Sequence, residues 1–189
     1  MTTDPTPDGA VTSDDAITPD EKDWTWVRER TCPECGFDAP SVDPHQAPRH
    51  IREVAAAFGP VLDRPDVAVR RRPDRWSDLE YACHVRDVYR LYDHRLSRML
   101  TEDDPLYENW DQDATAIEDR YGEQDPAVVR DELLAAADAL ARSYEQVAGD
   151  QWGRPGRRSD GAAFTVDSFT RYLLHDPYHH LWDVGALDA

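Results

Sequence analysis

The chain is almost without lysine. Lys22 stands alone, and arginine supplies the rest of a basic complement of 21 residues against 39 acidic ones, for a formal net charge of −18. A surface of that sign repels phosphate backbones and anionic lipid, which excludes non-specific nucleic-acid binding. No apolar run reaches the ~18 residues of a membrane helix. No basic stretch leads into an apolar core near the N-terminus, so no signal peptide is expected. Cysteine is scarce, at three residues. That is too few for a disulfide framework, and a reducing cytoplasm is the expected compartment. Segments with a strand period are missing, as are internal repeats. So are a Gly-rich phosphate loop, a G-x-S-x-G elbow and an H-E-x-x-H pair, which removes several common hydrolase and nucleotide-binding chemistries.

What is present divides into three stretches. The first, 1–22, is rich in Asp, Thr and Pro and holds almost no large apolar side chain. It cannot bury enough surface to offset the entropy of ordering, and a disordered tail is expected. The second, 23–43, carries Trp24, Trp26 and Val27 and then Cys32-Pro33-Glu34-Cys35-Gly36-Phe37, a compact knuckle-like extension. The third, 44–189, reads as helices.

A first helix is expected from Asp43-Pro44 to about Phe58, with Ile51, Val54, Ala55 and Phe58 on one face. Gly59-Pro60 and the neighbourhoods of Pro65 and Pro73 interrupt it. Ser77-x-x-Glu80 is a capping box. Behind it Tyr81, Val85, Val88, Tyr92, Leu96 and Met99 recur at helical spacing, and His84 lies beside that stripe. Residues 101–124 are polar, acidic and dotted with aromatics, and read as a long connection. A third helix starts at Asp125-Pro126, a cap with proline in the first helical position. It runs to about Val147, with Leu133, Leu134, Ala137, Leu140, Ala141 and Tyr144 inward. After a loop at 149–163, Thr165 caps a fourth helix with Phe169, Tyr172, Leu173, Leu181 and Trp182 as apolar positions. The sum is an all-α four-helix bundle, an architecture that builds metal sites from facing helices.

Histidines give that bundle a chemical candidate. His175 and His179 are four residues apart, and positions i and i+4 share one helix face. Two imidazoles so placed can grip one metal ion, and His84 on a facing helix would complete the set. Three protein ligands with an open position mark a catalytic metal site. Pro177 between the pair removes a helical hydrogen bond and is expected to kink the helix. Asp176, His180 and Asp183 lie nearby, and a carboxylate there can orient a ligating imidazole. The plainer alternative leaves the pair as polar residues near a helix C-terminus, where the dipole favours them, and His84 as a core histidine. His180 and His94 read as solvated or capping.

The segment SDLEYACHVRDVYRLYDHRLSRML, residues 77–100, followed by Thr101-Glu102-Asp103-Asp104-Pro105, resembles the second helix of DinB/YfiT-like proteins. LLHDPYHHLWDV near the C-terminus resembles the final helix of the same superfamily. The resemblance spans roughly residues 44–185. It implies a four-helix bundle with one divalent metal on three histidines, which in this sequence are His84, His175 and His179. It also implies a cofactor such as zinc or nickel and chemistry with a low-molecular-weight thiol cosubstrate, of mycothiol or bacillithiol type, in an isomerase or S-transferase. A metal with an open position activates a thiol or, in a metal-dependent hydrolase, water. A non-catalytic binding module held together by metal is the third reading. The expected partners are a small-molecule substrate, with neither nucleic acid nor membrane, and a homodimer is open.

Two other features are weighed. Cys32-x2-Cys35 looks like half a zinc ribbon, but structural zinc needs four ligands. Only His45 and His50 follow at plausible distance, with gaps unlike those of a standard finger. Zinc, a redox dithiol and plain structural thiols all fit, the last being the expectation. Cys83 reads as a small core residue. Arg154, Arg157 and Arg158 form a local basic loop able to neutralise a substrate carboxylate, or simply a solvated one. Glu102, Asp103, Asp104, Asp111 and Asp113 either rim a site mouth or form a wet face.

Overall fold

The computed structural model of the chain describes residues 23–187; the expected tail at 1–22 lies outside them. Four long helices form the bundle: α1 (Ala47–Leu62), α2 (Asp78–Thr101), α4 (Pro126–Glu145) and α5 (Val166–Asp183), with a short α3 (Gln112–Glu118) between the second and third of these. Helix α4 packs against both α1 and α2, and α5 lies against the same two helices from the other side. No described helix is long and apolar enough to cross a membrane.

Local chemistry sets the helix starts. Ser77 Oγ accepts from the Glu80 amide at 3.2 Å while Glu80 Oε2 accepts from the Ser77 amide at 2.8 Å, closing the predicted capping box. Asp125 accepts from the Ala127 amide at 2.8 Å ahead of Pro126. Thr165 accepts from the Ser168 amide at 3.2 Å and starts α5. The core these helices share includes Phe58, Leu79, Tyr89, Leu96, Leu133, Leu140, Phe169 and Leu173, all essentially shut off from solvent.

Several expectations are corrected. Helix α1 does not stop at Gly59-Pro60 but runs on to Leu62. Pro60 withdraws only its own N–H from the last turn, Val61 and Leu62 are buried, and Arg130 Nη2 donates to the Gly59 carbonyl at 3.0 Å. Pro177, where a kink is expected, lies buried inside α5 and does not end it. Leu134 faces outward, at 42% exposure. The stretch 101–124 is partly structured, and a small sheet exists where no strand was expected. β1 (Leu106–Tyr107) pairs in parallel with β2 (Pro155–Arg158), and β2 pairs antiparallel with β3 (Ala163–Thr165). Strands this short show no alternation to read. Gly156 in β2 presses on α2: a Cβ there would stand 2.8 Å from Met99 Cγ. Beneath the sheet, buried Arg95 donates to the Glu108 carbonyl at 2.7 Å and lies 4.8 Å over the Tyr107 ring. This contact fixes the chain that carries Trp110.

The extension at 23–43 forms two 3-10 turns, Trp24–Arg28 and Ala39–Ser41, both packed against α5. Arg171 of α5 holds the second turn, donating to the Ala39 carbonyl at 2.9 Å.

Candidate metal centre

Helix α5 carries two interleaved i,i+4 pairs. His175 and His179 share one face, and Asp176 and His180 share the next, about 100° round the helix. Each pair meets a different partner element, so the expected grouping of His84 with His175 and His179 divides between two clusters.

The first cluster is His84, Asp176 and His180. His84 comes from α2 and is fully buried. Trp110 stacks on its ring at 5.3 Å with an interplanar angle of 6°, and Trp76 lies 5.1 Å away. Trp110 is itself pinned by its Nε1 donating to Thr115 Oγ1 at 2.7 Å. His84 Nε2 stands 3.4 Å from Asp176 Oδ1. The atoms are close but not aligned as a hydrogen bond, and both His84 nitrogens and Asp176 Oδ1 are buried without a hydrogen-bond partner. His180 Nδ1 lies 2.9 Å from Asp183 Oδ2, while its Nε2 lies 3.8 Å from Asp176 Oδ1. A carboxylate on Nδ1 fixes the tautomer that leaves Nε2 as the ligand atom. Asp183 is held in turn by an ion pair with Arg75. Burial holds His84 below its ordinary imidazole value, with Asp176 pulling the other way. Burial works against the charged form of Asp176 as well, but the three neighbouring imidazoles outweigh it and hold the carboxyl low. Neutral imidazole beside a carboxylate is the protonation state that ligates a divalent ion.

The second cluster is Cys32, Cys35, His175 and His179, all buried. Cys32 Sγ stands 3.7 Å from His179 Nδ1. His179 Nε2 faces outward to Glu34 Oε2 at 3.5 Å and Asp183 Oδ2 at 3.9 Å. His175 Nε2 is buried without a hydrogen-bond partner. Burial, with His179 beside it, lowers His175 to about 4, and burial pushes the Cys35 thiol up to about 12. All three cysteines are free thiols.

The α5 members of both clusters, His175, Asp176, His179 and His180, line one cleft of about 1680 Å³. Its wall includes Trp24, Trp76, Trp110, Tyr172 and the four α5 residues, and its carboxylates outnumber Arg28, Arg75 and Arg158. Arg75 pairs with Asp183 and Arg158 with Asp160, so two of these arginines are already engaged. Among the residues of the expected basic loop, only Arg158 reaches the cleft. Arg157 pairs with Asp104 at 3.0 Å, and Arg154 donates to the Met99 carbonyl at 2.6 Å. Asp111 and Asp113 do rim the mouth, whereas Glu102 pairs with Arg98 on the surface. His45 and His50, the histidines at plausible sequence distance from the cysteine pair, are not grouped with it. His45 packs on Trp152 at 4.6 Å instead. His94 is exposed and Cys83 is fully buried in the core, both as expected. Reasoning from sequence named Asp176 as an orienting carboxylate and His180 as solvated or capping, and did not group the two with His84. Their signal was the same spacing that drew attention to His175 and His179, displaced by one residue.

A family model described as the DinB superfamily matches residues 20–184. Among solved structures, the chain is similar to one described as "YfiT from Bacillus subtilis is a probable metal-dependent hydrolase with an unusual four-helix bundle topology". The TM-score is 0.67 at 17% identity, over 75% of this chain and 86% of that one. No curated protein sequence matches the chain.

Proposed function

Since this chain belongs to the DinB superfamily, we propose that it is a metal-dependent enzyme. Its divalent ion, zinc or nickel, sits on His84, Asp176 and His180, and its reaction transfers a low-molecular-weight thiol of mycothiol or bacillithiol type to an electrophile. The observation that carries this reading is the set of buried ligand atoms left without hydrogen-bond partners, His84 Nδ1 and Nε2 and Asp176 Oδ1, behind a large cleft whose wall includes Asp176 and His180. Buried polar atoms are costly when unsatisfied, and a divalent ion would take one ring nitrogen of His84 together with Asp176 Oδ1. The set takes Asp176 and His180 in place of His175 and His179, their neighbours in the chain.

When bound, the ion supplies Lewis acidity and lowers the pKa of a thiol or water brought to its open position. The chain's own residues do the rest. Asp183 sets the tautomer of His180. Trp76 and Trp110 enclose His84 and keep water off its ring. Asp176 contributes a negative charge that offsets that of the ion. Ordinary ligand pockets measure roughly 300–1,000 Å³, so a cleft of about 1680 Å³ has room for two reactants, which supports transfer between substrates. Its acidic lining favours a thiol with few negative charges.

Hydrolysis is the second reading, favoured by the description of YfiT as a probable metal-dependent hydrolase. One assay separates the two. The metal-loaded protein is incubated with 1-chloro-2,4-dinitrobenzene and a panel of cellular thiols, and in parallel with activated esters without thiol. Metal-dependent loss of both thiol and electrophile supports transfer. Metal-dependent ester cleavage that ignores thiol overturns transfer in favour of hydrolysis.

A further inference from the structure

We propose that Cys32, Cys35, His175 and His179 form a second, closed metal site, a structural zinc centre that fastens the N-terminal extension to α5. It is separate from the cleft site on His84, Asp176 and His180 and goes beyond the catalytic reading. The argument begins with the donors. Two thiols and two imidazoles are the soft, four-donor set that zinc takes in closed structural sites. One potential ligand atom from each lies within 4.8 Å of those of the other three. Tetrahedral zinc with bonds of about 2.3 Å to sulfur and about 2.0–2.1 Å to nitrogen places neighbouring ligand atoms roughly 3.3–3.8 Å apart. Cys32 Sγ and His179 Nδ1 are already 3.7 Å apart.

The surrounding chain is built for such a site. Cys32-Pro33-Glu34-Cys35-Gly36-Phe37 closes a tight knuckle, the Gly36 amide donating to the Cys32 carbonyl at 3.0 Å and the Cys32 amide to the Phe37 carbonyl at 2.8 Å. Gly36 takes φ +75°, a conformation that side chains resist. On the other side, His175 is 4% exposed and its Nε2 is buried without a partner. His179 turns Nδ1 to Cys32 and Nε2 to Glu34 and Asp183, the outer carboxylates that commonly orient a metal-bound imidazole. Trp24 roofs the cluster, with ring centres 5.5 Å from His175 and 5.2 Å from His179. Four protein donors fill a tetrahedral zinc and leave no open position for a substrate, whereas the neighbouring cluster offers three.

The role follows from position. The extension at 23–43 holds few core side chains, among them Val27 and Ala39. It nevertheless supplies Trp24, Arg28 and Glu34 to the cleft wall. A metal tie between its knuckle and α5 sets that wall in place, because the binding energy of a structural ion is available for folding.

The test uses the full chain, purified under reducing conditions and loaded with zinc or, separately, with cobalt(II). Zinc per chain is measured for the wild type, for Cys32→Ser with Cys35→Ser, and for His84→Ala with His180→Ala. The cysteine double variant is expected to lose one equivalent, and the histidine double variant to keep that equivalent. The cobalt-loaded wild type is expected to show thiolate-to-cobalt charge-transfer absorption, retained in His84→Ala with His180→Ala. Its two knuckle thiols should resist a thiol reagent until a chelator is added. Cobalt-loaded wild type without the thiolate band overturns the proposal even where the cysteine variant does not fold. Unchanged zinc in a folded cysteine variant overturns it as well, and so does loss of the thiolate band in the His84 and His180 variant. Absence of thiol transfer or hydrolysis leaves every one of these readouts intact, so the two readings fail separately.

Discussion

His84 Nε2 lies 3.4 Å from Asp176 Oδ1, a contact between α2 and α5 in which Asp176 also lines the cleft. Neither atom has a hydrogen-bond partner. The carboxylate is thus the natural counter-charge for whatever cation occupies the cluster. Asp176→Asn keeps the volume and one oxygen but removes the charge. Metal affinity at the cleft site is expected to fall by about 10-fold or more, in the range that loss of supporting interactions around metal sites produces. Metal titration followed by calorimetry checks this, and affinity equal to that of the wild type refutes a ligating role for Asp176.

Glu80 is expected to be a large single contributor to stability away from the metal clusters. It caps α2 and pairs with Arg70, whose Nε donates to Oε2 at 2.9 Å, with side chains only 8% and 4% exposed. Burial pushes its carboxyl up, but Arg70 and Ser77 outweigh that and hold it below the ordinary value. A depressed folded-state pKa contributes stability above the unfolded value, near pH 4.3, and that stability is lost as pH falls through the folded pKa. Glu80→Gln removes the carboxylate charge that faces buried Arg70 and should cost about 3–5 kcal/mol at pH 7. In urea unfolding the gap between variant and wild type should narrow as the pH is taken below about 4. A gap that is constant with pH would show that the carboxylate charge is not what matters.

Gly156 offers a test of the small sheet. A Cβ would meet Met99 Cγ at 2.8 Å, Sδ at 3.0 Å and Cε at 3.1 Å, so the side chain is met along its length and not at its free end alone. Gly156→Ala should therefore destabilise by about 1–3 kcal/mol, the usual cost of overpacking. Unfolding in urea measures it, and Met99→Ala in the same chain should recover part of the added strain. Wild-type stability for Gly156→Ala alone would mean that β2 lifts from α2 without cost.

How far such features can be read from the sequence depends on their range. The starts of α2, α4 and α5 were legible because each is a local hydrogen-bonding device: Ser77 with Glu80, Asp125 before Pro126, and Thr165. The bundle was legible from long apolar periods. The sheet was not, because Gly156 and Phe164 are defined by what they touch across the fold. The end of α1 was misread because proline's local penalty was weighed without the burial of Val61 and Leu62. Within the candidate site, spacing pointed to α5 and to His84, but two i,i+4 pairs one residue apart are equivalent in one dimension. Only packing shows that Asp176 and His180 turn toward α2 while His175 and His179 turn toward a knuckle nearly the whole chain away.

That division yields the last prediction. If the two clusters hold separate ions, single substitutions on α5 sort by face and not by proximity in sequence. His180→Ala and His84→Ala should empty the cleft site and reduce any metal-dependent turnover by about 100-fold or more, as expected when an ion that activates the nucleophile is lost. His175→Ala should instead release the ion held with Cys32 and Cys35 and lower the melting temperature. The apo form there forgoes RT ln(1 + [L]/Kd) of stabilisation, about 2.7 kcal/mol at a free-metal concentration 100 times Kd. Metal content, turnover and melting are measured on all three variants. Should His175→Ala and His84→Ala deplete the same ion while His180→Ala spares it, the triad of His84, His175 and His179 holds the metal in solution, and helix α5 presents a different face there.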